Sequence, residues 1–373
     1  MYNKKQKDQH SNPEKRTELS ELGEFALIDR LTRKVKIKNP GTLKGIGDDA
    51  AVIEIKDKVL LLSTDLLIEG VHFDLTYMPL KHLGYKAAVV NFSDIAAMNG
   101  IPKQITVSIA ISNRFSVEAL EELYGGILLA CEKYKVDLVG GDTSSSVKGL
   151  MISVTVTGEA DKNEITYRNG AKEGDLLCVT GDLGAAYIGL LILEREKQVY
   201  KADPGMQPEL IGYEYVVQRQ LKPEARTDVY NLLKGLGIQP TSMIDISDGL
   251  ASEILHICKS SGVGCNLYEE KIPIDQQVRN LAMEFRIVPT VCALSGGEDY
   301  ELLFTINQRD IEKIRLVQGI SIIGHIAQKS EGQKLITTDG QSIDLTAQGW
   351  DAMRKRISPS PSPGPSPTRE GSL

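Results

Sequence analysis

Tryptophan occurs once in 373 residues, and histidine and cysteine five times each. Each scarcity removes a class of chemistry. The cysteines (Cys131, Cys178, Cys258, Cys265 and Cys292) are odd in number, widely scattered and never arranged as CxxC. Neither a disulfide framework nor a thiolate zinc site is expected, and a reducing cytoplasm is the expected location. Few histidines, one of them His10 in a polar tail, leave little material for a general base. No apolar run approaches the ~20 residues a membrane-spanning helix requires, and the polar N-terminus lacks a signal-peptide core. Positive charge is not in excess: 43 Lys and Arg against 50 Asp and Glu give a net charge of −7. That balance argues against a nucleic-acid partner, which normally meets a basic face.

What is present is a core-forming chain between two tails. Hydrophobic residues make up 41%, enough at this length for two domains. Residues 1–16 are charged, and residues 358–373 alternate Ser with Pro; both are expected to be disordered. Between them the pattern is α+β, with two layers per domain. Alternation marks strands at 105–112 and 150–157. An apolar stripe through Leu120, Leu123, Ile127, Cys131 and Tyr134 predicts a helix over 116–135, capped by Ser116. Residues 81–99 read as a second helix. Beyond a boundary near 158, giving domains at 17–157 and 158–357, the expected elements are a strand at 176–180, a helix after Gly249, a strand at 300–306 and a hairpin turn at 337–341. The polar stretch 195–220 reads as a surface excursion.

Aspartates recur beside Gly, Ser or Thr at the edges of apolar segments: GIGDDAAV (45–52), STD (63–65), NFSDIAAMNG (91–100), GGDTS (140–144) and IDISDG (244–249). Gly admits close backbone approach, and carboxylates with hydroxyls make a hard-oxygen site suited to Mg²⁺. Turns and helix caps compete with that reading. Asp248 stands where it can cap the helix at Leu250, and Asp48 and Asp49 suit a turn. Asp94 resists the bland account, because it interrupts the apolar helical run around Phe92 and Ile95–Met98. An unpaired carboxylate there costs several kcal/mol unless a cation or strong donors meet it. Asn91, three residues earlier on the same face, is the expected support. Converging acids demand divalent cations, and clustered Mg²⁺ suits a polyphosphate. This leaves phosphatase, kinase, ligase and nucleotide-binding module open.

Taken in order, GIGDDAAV, STDLLIEGVHF, GYKAAVVNFSDIAAMNG, GGDTS, RNGAKEGD, IDISDGL and LSGGEDYEL resemble the thiamine-monophosphate kinase family over roughly 22–356. The wider group includes aminoimidazole ribonucleotide synthetase, selenophosphate synthetase and the hydrogenase maturation dehydratase. The resemblance implies an N-terminal α/β domain with a mixed sheet that pairs in a homodimer, and a C-terminal α+β domain. It implies ATP as co-substrate and several Mg²⁺ ions held by Asp49, Ser63, Thr64, Asp65, Asp94, Asp142, Asp245 and Asp248. Tyr124, Gly141, Asp142, Arg168 and Ser247 match ATP-contacting positions. His72, Glu298 and Trp350 match positions around thiamine monophosphate. Taken alone, Tyr124 fits a core residue, Arg168 a surface one and His72 a structural histidine, while Trp350 suits either an anchor or an aromatic stack on a cationic ring.

The implied reaction makes thiamine diphosphate and ADP by direct in-line transfer, with Asp65, Asp94 and Asp142 acting through metal. The acceptor phosphate, with a second pKa near ~6, needs no base. Competing readings are a ligase of the aminoimidazole ribonucleotide synthetase type and a non-catalytic nucleotide sensor. The absence of a Cys before the first acidic motif argues against selenophosphate synthetase, and the ending GlySerLeu against the dehydratase.

Overall fold

A computed structural model of the chain describes residues 35–347 and, ahead of them, residues 28, 30, 32 and 33. Both expected tails and Trp350 lie outside the described residues. Residues 36–350 cluster into one compact unit, built on two mixed sheets.

The first half runs β1 (Thr42–Lys44), β2 (Ala51–Ile55), β3 (Lys58–Ile68), α1 (Leu80–Ala97), β4 (Ile101–Ile111), α2 (Val117–Tyr134), β5 (Asp137–Ser145) and β6 (Met151–Asp161). Its strand order is β1-β2-β3-β6-β4-β5. Only the β4–β5 pair is parallel. Alternation places Val59 and Leu61 of β3, Ile152, Val154 and Val156 of β6, and Ile105, Val107 and Ile109 of β4 in the core. The opposite face carries exposed Thr64, Leu66 and Thr106. Residue 158 lies within β6, which continues to Asp161.

Helix α1 is the axis of this half. From Leu83 to Ala97 every residue except Asp94 is buried, the polar Lys86, Asn91 and Ser93 included. It packs on the first sheet, on α2 and on a strand of the second sheet. Two glycines let α1 and α2 touch backbone to backbone. A Cβ on Gly84 would lie 1.9 Å from the Leu123 carbonyl oxygen, and one on Gly126 1.9 Å from that of Lys81. Ser116 caps α2 by accepting from the Ala119 N–H at 3.2 Å.

The second half runs β7 (Leu176–Thr180), α3 (Ala185–Ala202), α4 (Glu214–Leu221), α5 (Asp228–Leu236), β8 (Ser242–Asp245), α6 (Leu250–Ser261), β9 (Gly264–Tyr268), α7 (Gln276–Glu284), α8 (Pro289–Ser295), β10 (Leu302–Ile306), α9 (Ile311–Ile314), β11 (Ile320–Ala327), β12 (Gln333–Ile336) and β13 (Ser342–Asp344). The sheet order is β13-β12-β9-β11-β7-β10-β8. The expected hairpin is β12–β13, closed by the Thr337 N–H on the Gln341 carbonyl at 2.9 Å. Among the described residues no helix is long and apolar enough to cross a membrane.

Two expectations are corrected. STD does not end its strand: β3 pairs with β6 without interruption from Lys58 to Ile68, so Ser63, Thr64 and Asp65 sit mid-strand. The stretch 195–220 is a surface excursion only in its middle, where residues 203–209, 211 and 212 are exposed loop. Its first part completes α3, and α4 packs against α3, burying Val216, Gln220 and Leu221. Polar composition hid a short amphipathic helix whose apolar residues fall at 216, 217 and 221, the spacing of one helical face.

Candidate active site

Three carboxylates from three separate elements converge. Asp49 comes from the loop before β2, Asp94 from α1 and Asp245 from the end of β8; an oxygen of each lies within 4.8 Å of the others. Asp49 and Asp245 are buried, and Asp94 is partly exposed. The Ser63 hydroxyl donates to Asp94 Oδ2 at 2.6 Å, and the Ser93 hydroxyl to Asp245 Oδ2 at 2.6 Å. Alternation brings Ser63 and Asp65 to the same face of β3, under α1. Asp94 is pushed well above the usual carboxylate range by burial, then by the negative charges of Asp65, Asp245 and Asp49. Asp245 rises to about 7, again from burial first and Asp49 second. Four acids therefore share one field.

Arg168 answers only part of it. Its guanidinium forks onto Asp49, Nε to Oδ2 at 3.0 Å and Nη2 to Oδ1 at 2.6 Å. Its backbone N–H donates to Asp48 Oδ1 at 3.2 Å, so Asp48 serves the turn while Asp49 faces the cluster. Asn91 does not support Asp94 as expected. Its amide nitrogen donates to the Ala87 carbonyl at 3.0 Å, and Ser63 supplies the Asp94 contact instead.

Asp248 does not cap α6; the N-cap is Gly249, with no side-chain cap bond. Buried Glu253, in the first turn of α6, pins the loop instead. Its Oε1 accepts from the backbone N–H groups of Ser247 and Asp248, at 3.1 and 2.8 Å. Sequence reasoning missed Glu253, although a Glu just inside a helix after SDG is a readable sign of such a bond.

A second polar group gathers around Glu298. Lys86 of α1, itself buried, lies 2.9 Å from Glu298 Oε1, and the Gln220 side chain donates to Oε2 at 2.6 Å. His72 lies within the field of Glu298, and burial lowers its pKa; its Nδ1 accepts from the Ile68 N–H at 3.0 Å. Glu298 and Tyr300 hold left-handed backbone, φ +59° and +52°, which costs each roughly 1–2 kcal/mol. Tyr300 links the two groups. Its hydroxyl is pushed up by burial and then by the charges of Glu298, Asp65, Asp245 and Asp248.

Other expected site residues stand apart within a single chain. Thr64 points to the opposite face of β3, where its hydroxyl meets the Val154 carbonyl and Thr155 Oγ1, both at 3.0 Å. Gly141 and Asp142 lie exposed on the edge strand β5. Tyr124 packs against the core of the first half. The arrangement can bind a hard cation at one end and, about 12 Å along α1 from Asp94 to Lys86, a group that answers a carboxylate at the other.

Comparison with known proteins gives this geometry a lineage. Residues 47–160 match the N-terminal domain model of the AIR synthase related proteins, and residues 172–311 the C-terminal one. Within that class, the chain is 34% identical over 336 residues to a thiamine-monophosphate kinase of Bacillus subtilis, covering 88% of this chain and 99% of the relative. The corresponding enzyme of Aquifex aeolicus is 36% identical over 332 residues, with 89% and 98% covered. A solved structure of AaThiL complexed with AMPPCP and TMP superposes with a TM-score of 0.75 at 34% identity, covering 90% of this chain and 99% of that one. The chain belongs to the thiamine-monophosphate kinase family.

Proposed function

We propose that this chain phosphorylates thiamine monophosphate to thiamine diphosphate at the expense of ATP. The supporting observation is a dense acidic cluster beside a separate neutralised carboxylate, in a chain of this family. Asp49, Asp94 and Asp245 would hold Mg²⁺, with Asp65 adjoining and Ser63 and Asp248 at its margin. The site passes a chemical test for such ions: hard carboxylate oxygens within 4.8 Å of one another, with one arginine fork on Asp49. When bound, divalent cations neutralise the two phosphates and the departing ADP.

The chain's own residues prepare that site. Ser63 and Ser93 fix the orientation of Asp94 and Asp245 by donating to one oxygen of each. Arg168 fits the ATP phosphates, and Ser247 the nucleotide, on a loop pinned by Glu253. His72, held neutral by burial, and Glu298 line the acceptor end, a place where a carboxylate suits the cationic thiazolium. No side chain has to remove a proton, because the acceptor phosphate is largely ionised at neutral pH. Asp142, Gly141, Tyr124 and Thr64 enter only if a second copy or ATP itself closes on the first sheet. A homodimer pairing those sheets is proposed, and light scattering at micromolar concentration tests it. Five free, buried thiols suit a reducing cytoplasm.

The deciding experiment is ADP release measured across acceptors with ATP and Mg²⁺. Thiamine monophosphate is expected to give ADP and thiamine diphosphate in equal amounts, and free thiamine neither, since its neutral alcohol needs a base the site does not offer. ADP release driven by formylglycinamidine ribonucleotide instead would install the ligase reading.

A further inference from the structure

Lys86, Gln220 and Glu298 close a three-membered ring drawn from α1, α4 and the loop before β10. Besides the two bonds to the carboxylate, Lys86 Nζ donates to the Gln220 backbone carbonyl at 3.1 Å. Each member therefore touches the other two. Both Glu298 oxygens are engaged, one by a cation and one by an amide. Gln220 is 4% exposed, and its Oε1 is buried without a hydrogen-bond partner. An unsatisfied amide oxygen beside an ion pair is costly unless something else requires the amide there.

The ring also restrains the strained loop. The Glu298 N–H donates to the Ser247 carbonyl at 2.7 Å, and the Tyr300 N–H to the Ile246 carbonyl at 2.9 Å. A Cβ on Gly297 would lie 2.5 Å from the Ser247 carbonyl oxygen. The loop is thus pressed on one side against the segment that follows Asp245, while the ring holds its other side to α1.

We infer that Lys86 and Gln220 are positioning residues that set the Glu298 carboxylate for the acceptor. The inference rests on the proposed function for the identity of that acceptor. Lys86, 2.9 Å from one Glu298 oxygen, offsets part of the charge and fixes the direction in which the carboxylate faces the acceptor.

Lys86→Met, Gln220→Leu and Glu298→Gln separate this role from a structural one. Each is expected to raise KM for thiamine monophosphate by about tenfold or more while leaving KM for ATP within about twofold. The Lys86→Met/Glu298→Gln double variant removes the ion pair together and is expected to be no worse than the poorer single variant. It also covers the case in which Lys86→Met alone leaves a buried carboxylate unpaired and fails to fold. Equal increases in both KM values, unchanged KM with only a lower Tm, or additive losses in the double variant overturn the positioning role. A wild-type chain that turns over no thiamine monophosphate overturns the functional reading, and this inference with it. Normal wild-type turnover with variants that keep their KM overturns the inference alone.

Discussion

Among the described residues, two clusters of carboxylates differ in how far arginines meet their charge. Around Glu301, Arg219 and Arg226 each reach a carboxylate oxygen, at 3.0 and 2.7 Å, and the Thr180 hydroxyl donates at 2.6 Å. Asp299 lies beside it, 3.7 Å from Arg219 and accepting from the Gly184 N–H at 2.8 Å. Two arginines meet two acids in a structural joint between α4, β7 and β10, in which Arg219 Nε and Asp299 Oδ1 are buried without a hydrogen-bond partner. Around Asp49, Asp94 and Asp245, the arginine found among the described residues is Arg168, forked onto Asp49. Counting acids does not distinguish the two places; counting the cations that remain to be supplied does.

That contrast can be broken by substitution. Asp94→Asn is expected to remove turnover, a loss of at least ~100-fold, because shape is kept while a charge that holds cation is lost. The same change is expected to abolish the rise in Tm on adding Mg²⁺, which for wild type corresponds to about 2.7 kcal/mol at a hundredfold excess over Kd. Near-normal turnover with an intact Mg²⁺ shift would return Asp94 to a structural role. Glu301→Ala should do the reverse. With Arg219 left to Asp299 and Arg226 to Asp228, stability falls by about 2 kcal/mol in denaturant melts, while the Mg²⁺ shift survives.

Arg168→Lys tests the single cation inside the acidic cluster. It keeps the charge and loses the fork, so kcat/KM for ATP should fall about tenfold, the worth of one charge-assisted hydrogen bond. An unchanged value would confine Arg168 to bracing Asp49. The smallest effect belongs to Asp299, raised by burial from 3.8 to about 7. Below the lower value it is neutral whether folded or unfolded; between the two, only the unfolded chain ionises, so stability drains as pH rises. Asp299→Asn should therefore gain in Tm relative to wild type across that window, and a difference flat with pH would contradict the assignment.

Much of this was legible in the residues. The strand at Leu176–Thr180 and the helix from Leu250 fall where periodicity and glycine punctuation put them, and the anomaly of Asp94 in an apolar helix pointed to the cluster. Three things were not legible. Mid-strand STD looked terminal because polar residues on a half-buried strand resemble a turn when the partner of Thr64, 91 residues away at Thr155, is unknown. Helix α4 is short, and its polar side faces the ion network, so charge disguised burial at Gln220. Lys86 carried no local sign at all: a lysine in a helix is normally solvated, and only the convergence of Gln220 and Glu298 from distant segments makes it an interior cation.

Helix α1 carries both Lys86 and Asp94, eight residues apart and so about 12 Å along one rigid rod. The distance between the acceptor end and the acidic end is therefore written into the helical repeat itself, as marks on a ruler. Gly84 of α1 and Gly126 of α2 keep that ruler from sliding, since each meets the other helix's backbone with no room for a methyl group. If the proposed reading holds, a substrate too short to reach both marks is expected to drive no ADP release.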